Sequence, residues 1–119
     1  MLGDTLVFPL GGVNVTCRKV NQDQYSAEYR YRSSVNQLVL RVRHSQTKAN
    51  NGTPAKDRHN FEVVETVFAS GSTPELTRKS YWVWEHEPSD TNLAIVDGMA
   101  DMIIASTNDL VTKMGNWES

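Results

Sequence analysis

Residues 38–45 read Leu-Val-Leu-Arg-Val-Arg-His-Ser, and their alternation decides the fold. Leu38, Leu40 and Val42 fall on one side of an extended chain; Val39, Arg41, Arg43 and Ser45 fall on the other. Successive side chains of a strand point to opposite faces. The stretch therefore predicts a sheet with one apolar face and one cationic face.

Working upstream, Asp4 to Leu10 places Leu6, Phe8 and Leu10 on one face. Gly11-Gly12 follows, a two-residue hairpin turn, because glycine accepts positive φ without steric cost. Val13, Val15 and Cys17 then alternate with Asn14, Thr16 and Arg18. Asn21-Gln22-Asp23 reads as a turn. Tyr25, Ala27, Tyr29 and Tyr31 form one face of the next strand, with Ser26, Glu28, Arg30 and Arg32 opposite. Residues 33–36 read as another turn.

Downstream, residues 46–57 are polar and read as a loop. Over residues 60–68, Phe61, Val63 and Val67 oppose Asn60, Glu62, Val64 and Thr66. Residues 69–77 form a Gly/Ser/Thr/Pro loop. Residues 78–87 form a last strand, in which Trp82 and Trp84 alternate with Tyr81, Val83 and Glu85. The period then changes. Ser89, Asp90 and Thr91 each suit a helix N-terminus. Leu93, Val96, Ala100, Ile103 and Thr107 recur at helical spacing, and Asn108-Asp109 suits the start of a short second helix ending near Gly115. The expectation is a single α+β domain over residues 1–119: an antiparallel meander followed by two helices that cover the Leu40, Val42, Trp82 and Trp84 face.

Composition narrows the function. The chain has 119 residues and a net charge of −2, with 12 Lys+Arg against 14 Asp+Glu, so it is no simple polycation. It has one cysteine, Cys17, and so no intrachain disulfide. Cys17 sits among apolar strand positions and reads as a buried, inert thiol. No apolar run reaches membrane-span length, and the N-terminus lacks a signal pattern, so the cytoplasm of the producing cell is the simplest location. There is no Gly-rich phosphate loop and no G-x-S-x-G elbow, and no enzyme activity is expected. His44, His59 and His86 match no metal-binding spacing and read as structural or solvated; Asp97 and Asp101 read as a solvated helix face. No metal or cofactor is expected.

The cationic face is the candidate site. It displays Arg41, Arg43, Ser45, Asn60, Tyr81, Val83 and Glu85. Arginines two residues apart, beside an aromatic ring, suit single-stranded RNA, which is held by phosphate contacts and base stacking. The plain alternative is that Arg41 and Arg43 pair with Glu62 and Glu85 across neighbouring strands.

The ordered combination of VRHSQTK at 42–48, DRHNFEVVETV at 57–67, RKSYWVWEH at 78–86 and a helical tail resembles the coat proteins of single-stranded RNA bacteriophages of levivirus type. GDTL at 3–6 and NQDQYSAEYRYR at 21–32 are most similar to the subgroup infecting Caulobacter-type hosts. The resemblance implies an N-terminal β-hairpin, a five-stranded antiparallel sheet and two C-terminal helices. It implies an obligate homodimer, intertwined through a continuous ten-stranded sheet. Such dimers form a T=3 icosahedral capsid around the viral genome, in a virion that also carries a minor maturation protein, after assembly in the bacterial cytoplasm. It implies, too, an RNA hairpin bound as translational repressor of the replicase.

Residue by residue, the resemblance places Arg41, Arg43 and Ser45 on the first RNA-facing strand and Asn60 near an RNA-facing position of the next. Tyr81 falls at the tyrosine that stacks on a base, and Glu85 at an acidic position. Val83 stands where the family often has Asn or Asp, and Glu62 where lysine is common. The loop 69–77 corresponds to the one that gathers at the symmetry axes, and it carries no cross-linking cysteine. A small dimeric RNA-binding regulator that forms no shell is the competing reading.

Overall fold

The computed structural model describes residues 2–118. Residues up to Glu87 form one compact unit and those from Pro88 onward another. The first is a six-stranded antiparallel sheet in sequential order. Its strands are β1 (Thr5–Leu10), β2 (Val13–Gln22), β3 (Ser26–Arg32), β4 (Asn36–Gln46), β5 (Asp57–Val67) and β6 (Leu76–His86). The hairpin strands β1 and β2 are continuous with the rest, and four strands follow them where five were expected, so the sheet is a single one of six strands.

Local chemistry explains the connections. Gly11 and Gly12 have φ of 58° and 80°, the two positive angles that a tight hairpin turn requires. The β4–β5 loop is shorter than expected, because the ladder continues through Ser45↔Arg58 and Gln46↔Asp57. Its tip closes in a small bridge, Asn50↔Thr53, and a matching bridge, Ser70↔Thr73, closes the β5–β6 loop. A bulge between Lys19 and Asn21 interrupts β2. Bulges increase local twist and bend, which suits a strand where the sheet curls.

The core lies on the face that holds Leu38 and Leu40. Cys17, Tyr29, Leu38 and Leu40 are fully buried, and Leu6, Phe8, Leu10, Val15, Phe61 and Val63 pack against them. Phe8 and Leu10 of β1 line one groove together with Leu38, Phe61, Val63 and Trp82, so the sheet curls its N-terminal hairpin over its own face. Within the sheet unit, this hairpin covers part of the apolar face. Burial of Tyr29 leaves its hydroxyl inside, where it donates to the Gly3 carbonyl at 2.7 Å. Burial also pushes the Cys17 thiol pKa up, as befits an inert core residue. Trp82 and Trp84 are half-buried rather than core; their rings stack at 6.4 Å.

The second unit holds one helical element, α1 (Ala94–Gly115), where two helices were expected. Its backbone departs from helical angles at Ala105, Ser106, Thr107 and Asn108. Polar side chains that compete for backbone hydrogen bonds cluster at that break. None of residues 89–91 is the N-cap: that position is Leu93, without a side-chain capping bond, and Asn92 Oδ1 just before it accepts from the Ala94 N–H at 2.8 Å. None of the described residues of α1 is buried.

Leu40→Ala should lower unfolding stability by about 2–5 kcal/mol, as deletion of a buried leucine does. Val7→Ala, at a position 59% exposed, should shift it by less than about 0.5 kcal/mol. Urea unfolding at matched protein concentration tests this; equal effects would place the core on the wrong face.

Candidate nucleic-acid interface

The ladder registers fix which side chains share the face opposite the core. Glu28, Arg41, Glu62 and Tyr81 form one row across β3 to β6. Ser26, Arg43, Asn60 and Val83 form the next, and Ser45, Arg58 and Glu85 the third. All seven positions singled out from the sequence, Arg41, Arg43, Ser45, Asn60, Tyr81, Val83 and Glu85, therefore lie together on one face. Arg18, Arg30, Arg32, Arg58 and Lys79 share it, so cations outnumber the carboxylates of Glu28, Glu62 and Glu85, although the whole chain is acidic.

The arginines at the centre of the face are paired. Arg41 donates to Glu28 at 2.8 Å and to Glu62 at 3.2 Å. Arg43 reaches Glu62 at 3.4 Å and Lys79 reaches it at 3.0 Å. Arg58 pairs with Glu85 at 3.0 Å. Of the expected cross-strand pairing of Arg41 and Arg43 with Glu62 and Glu85, the Glu62 part is present; Glu85 pairs with Arg58 instead, and Arg41 also reaches Glu28. Glu62 is only 6% exposed. Lys79 above all, then Arg41, hold its carboxyl below the usual range against the opposing effect of burial. Hydrogen bonds to Glu28 and then Glu62 raise the Arg41 guanidinium in turn.

Two further features suit a ligand. Tyr81 is 65% exposed, with the Lys79 ammonium 5.5 Å from its ring centre. Asn60 Oδ1 is buried with no hydrogen-bond partner among the described residues, beside Arg43 and Val83. A buried acceptor without a donor costs free energy that a bound donor recovers. Sequence reasoning missed Lys79 and Arg58 as members of the strip. Lys79 was legible, two residues from Tyr81 on the same strand. Arg58 required the β4–β5 register.

The opposite face gathers the three histidines. His44 Nδ1 lies 2.8 Å from His59 Nδ1, and His59 Nε2 lies 2.9 Å from His86 Nε2. His86 Nδ1 lies 2.8 Å from the Glu87 carbonyl oxygen, which can only accept. In the neutral chain His86 therefore carries its proton on Nδ1, His59 donates through Nε2, and His44 donates to His59. Trp84 stacks on this chain, 4.3 Å from the His86 ring and 5.2 Å from His59. The ring nitrogens in these contacts point at a neighbouring ring or carbonyl rather than at a shared point. Among the described residues no group of three His, Cys, Asp or Glu side chains is arranged to hold a metal ion. No helix is long and apolar enough to cross a membrane.

A curled antiparallel sheet with one cationic face, followed by a helix, is the build of a phage coat subunit. The family model described as "Phage phiCb5, coat protein" matches residues 3–87, which span all six strands of the sheet. The chain belongs to this family of bacteriophage coat proteins. It is a structural, non-enzymatic protein of the virion that assembles with its own copies into a capsid. No curated protein matches the chain.

Burial lowers the His59 pKa from its ordinary 6.5, the neighbouring His44 and His86 lower it further, and Asp57 opposes them. An unfolded chain takes up that proton near pH 6.5 while the folded one does not. The folded state therefore loses stability as pH falls below 6.5, and His59→Gln should reduce the fall in Tm between about pH 7 and pH 5. An unchanged pH slope would show that the imidazole chain carries no such linkage.

Proposed function

We propose that this coat subunit pairs with a second copy along β6 and that the dimers tile a T=3 icosahedral shell. The face bearing Arg41, Arg43, Ser45, Asn60, Tyr81, Val83 and Glu85 turns inward to the single-stranded RNA genome. The observation that carries the RNA reading is the gathering of these positions, with their surplus of cations and one exposed ring, on the face away from the core.

Two features support the dimer. β6 ends the sheet order, so one edge of an eleven-residue strand is left without a neighbour in the sheet. Such an edge invites pairing with another chain. In α1, Ile95, Met102, Ile104 and Met114 are 77%, 60%, 65% and 64% exposed. An apolar helix this exposed calls for cover, and a second subunit would give it. The loop that joins β5 to β6 carries Gly71 at φ 57° and a Ser70↔Thr73 bridge. Its contacts at the symmetry axes would be non-covalent, since the loop has no cysteine.

The same inner face would hold an RNA hairpin as translational repressor. Arg41, Arg43 and Lys79 would meet phosphates, and Tyr81 would stack on a base. Val83 offers no hydrogen bond, so base discrimination would fall to Asn60 and Ser45. The virion's maturation protein would be a further partner.

Size-exclusion chromatography, negative-stain microscopy and absorbance at 260 nm on the purified protein test the proposal. Uniform particles containing RNA are expected. A clean dimer across salt conditions would favour a regulator that never forms a shell. Tyr81→Ala should leave particle formation intact and weaken hairpin binding by about 1–3 kcal/mol, the worth of one stacked base. Unchanged hairpin affinity would remove Tyr81 from the interface.

A further inference from the structure

Glu62 is the most densely paired side chain of the cationic face. Its Oε1 accepts from Lys79 at 3.0 Å, and its Oε2 accepts from Arg41 at 3.2 Å and Arg43 at 3.4 Å. The donors come from both flanking strands, β4 and β6. Their heads converge on one carboxylate, yet the Arg43 and Lys79 side chains remain 51% and 53% exposed. Tyr81 lies directly across the ladder from Glu62.

We propose that the Glu62 carboxylate occupies the seat of an RNA phosphate, so that it competes with RNA for Arg41, Arg43 and Lys79 and sets the affinity of the face. This rests on the RNA-facing reading and specifies how that site is regulated. A carboxylate and a phosphodiester each carry one negative charge over two terminal oxygens, so both offer the same acceptors to the same donors. A base stacked on Tyr81 brings its own phosphate within reach of Lys79 and Arg43. Those two side chains are exposed enough to swing outward, whereas Arg41 stays tied to Glu28 at 2.8 Å. RNA binding is then an exchange of ion pairs rather than a plain gain. The net affinity per contact is small, and a shell subunit uses many such contacts in parallel without selecting a sequence.

The test is the binding of a fluorescent single-stranded oligouridylate to the full-length protein and its Glu62→Gln variant across a salt series. Glu118→Gln makes the same charge change in the C-terminal unit and serves as control. The variant should bind about three- to tenfold more tightly at low salt, as expected on removing a carboxylate that competes for the half-exposed heads of Arg43 and Lys79. Its affinity should also fall more steeply with salt, because more cations then meet phosphates. Glu118→Gln should match the wild type.

If the wild type binds and a folded Glu62→Gln binds no more tightly, the role of Glu62 is overturned while the RNA face stands. If neither binds, the RNA-facing reading itself falls, and this inference with it. Should Glu62→Gln fail to fold, Lys79→Gln decides the matter. Reduced RNA affinity supports a cation shared between Glu62 and phosphate, and unchanged affinity overturns it.

Discussion

Everything in the sheet depends on the register of β4 against β5. That ladder runs unbroken from Asn36↔Val67 to Gln46↔Asp57 and sets Leu40 beside Val63 on one face and Arg41 beside Glu62 on the other. A shift of one residue would turn Arg41 and Arg43 into the core and Leu38 and Leu40 into solvent. Both outcomes are costly: isolated charges would be buried, and side chains that are now fully buried would be lost from the core. The apolar face pins the register, and the register in turn assembles the cationic strip. Core and interface are two consequences of one alternation.

The charge arrangement follows from the same geometry. Flat rows of arginine would repel one another, and the carboxylates of Glu28 and Glu62 relieve this at the cross-strand positions. Glu62 can sit almost without solvent because three cations converge on it. The face thus remains stable without a ligand, while its exposed outer heads, those of Arg43, Arg58 and Lys79, stay near enough to the surface to exchange partners. On the other face the imidazole chain of His44, His59 and His86 ties together the ends of β4, β5 and β6 through ring-to-ring hydrogen bonds and the Trp84 ring.

Much of this was legible in the chain itself. Alternation in residues 4–10, 38–45 and 78–86 placed the strands and sorted the two faces, because a strand with one buried side cannot hide its period. The Gly11-Gly12 turn announced the hairpin. The site positions Arg41, Arg43, Tyr81 and Glu85 followed from the same period and from the family resemblance. What stayed hidden was long-range. The curl that brings Phe8 and Leu10 to one groove with Leu38, and the bulge in β2, are signalled by no residue type. The gathering of three histidines from three strands needs the registers of two ladders. The tail is one helical element with a break at Ala105, Ser106, Thr107 and Asn108 rather than two separate helices, and Asn108-Asp109, suited to start a helix, fall at that break.

The central claim is that RNA meets the face of Arg41, Arg43 and Tyr81 and not the face of Trp82 and Trp84. Ultraviolet cross-linking of assembled particles, followed by mass spectrometry of the joined peptides, tests it most directly. Cross-links should map to Tyr81 and to residues beside it on the cationic face, such as Asn60. Cross-links confined to Trp82 and Trp84 would contradict the account, since they would place the RNA on the other face of the sheet.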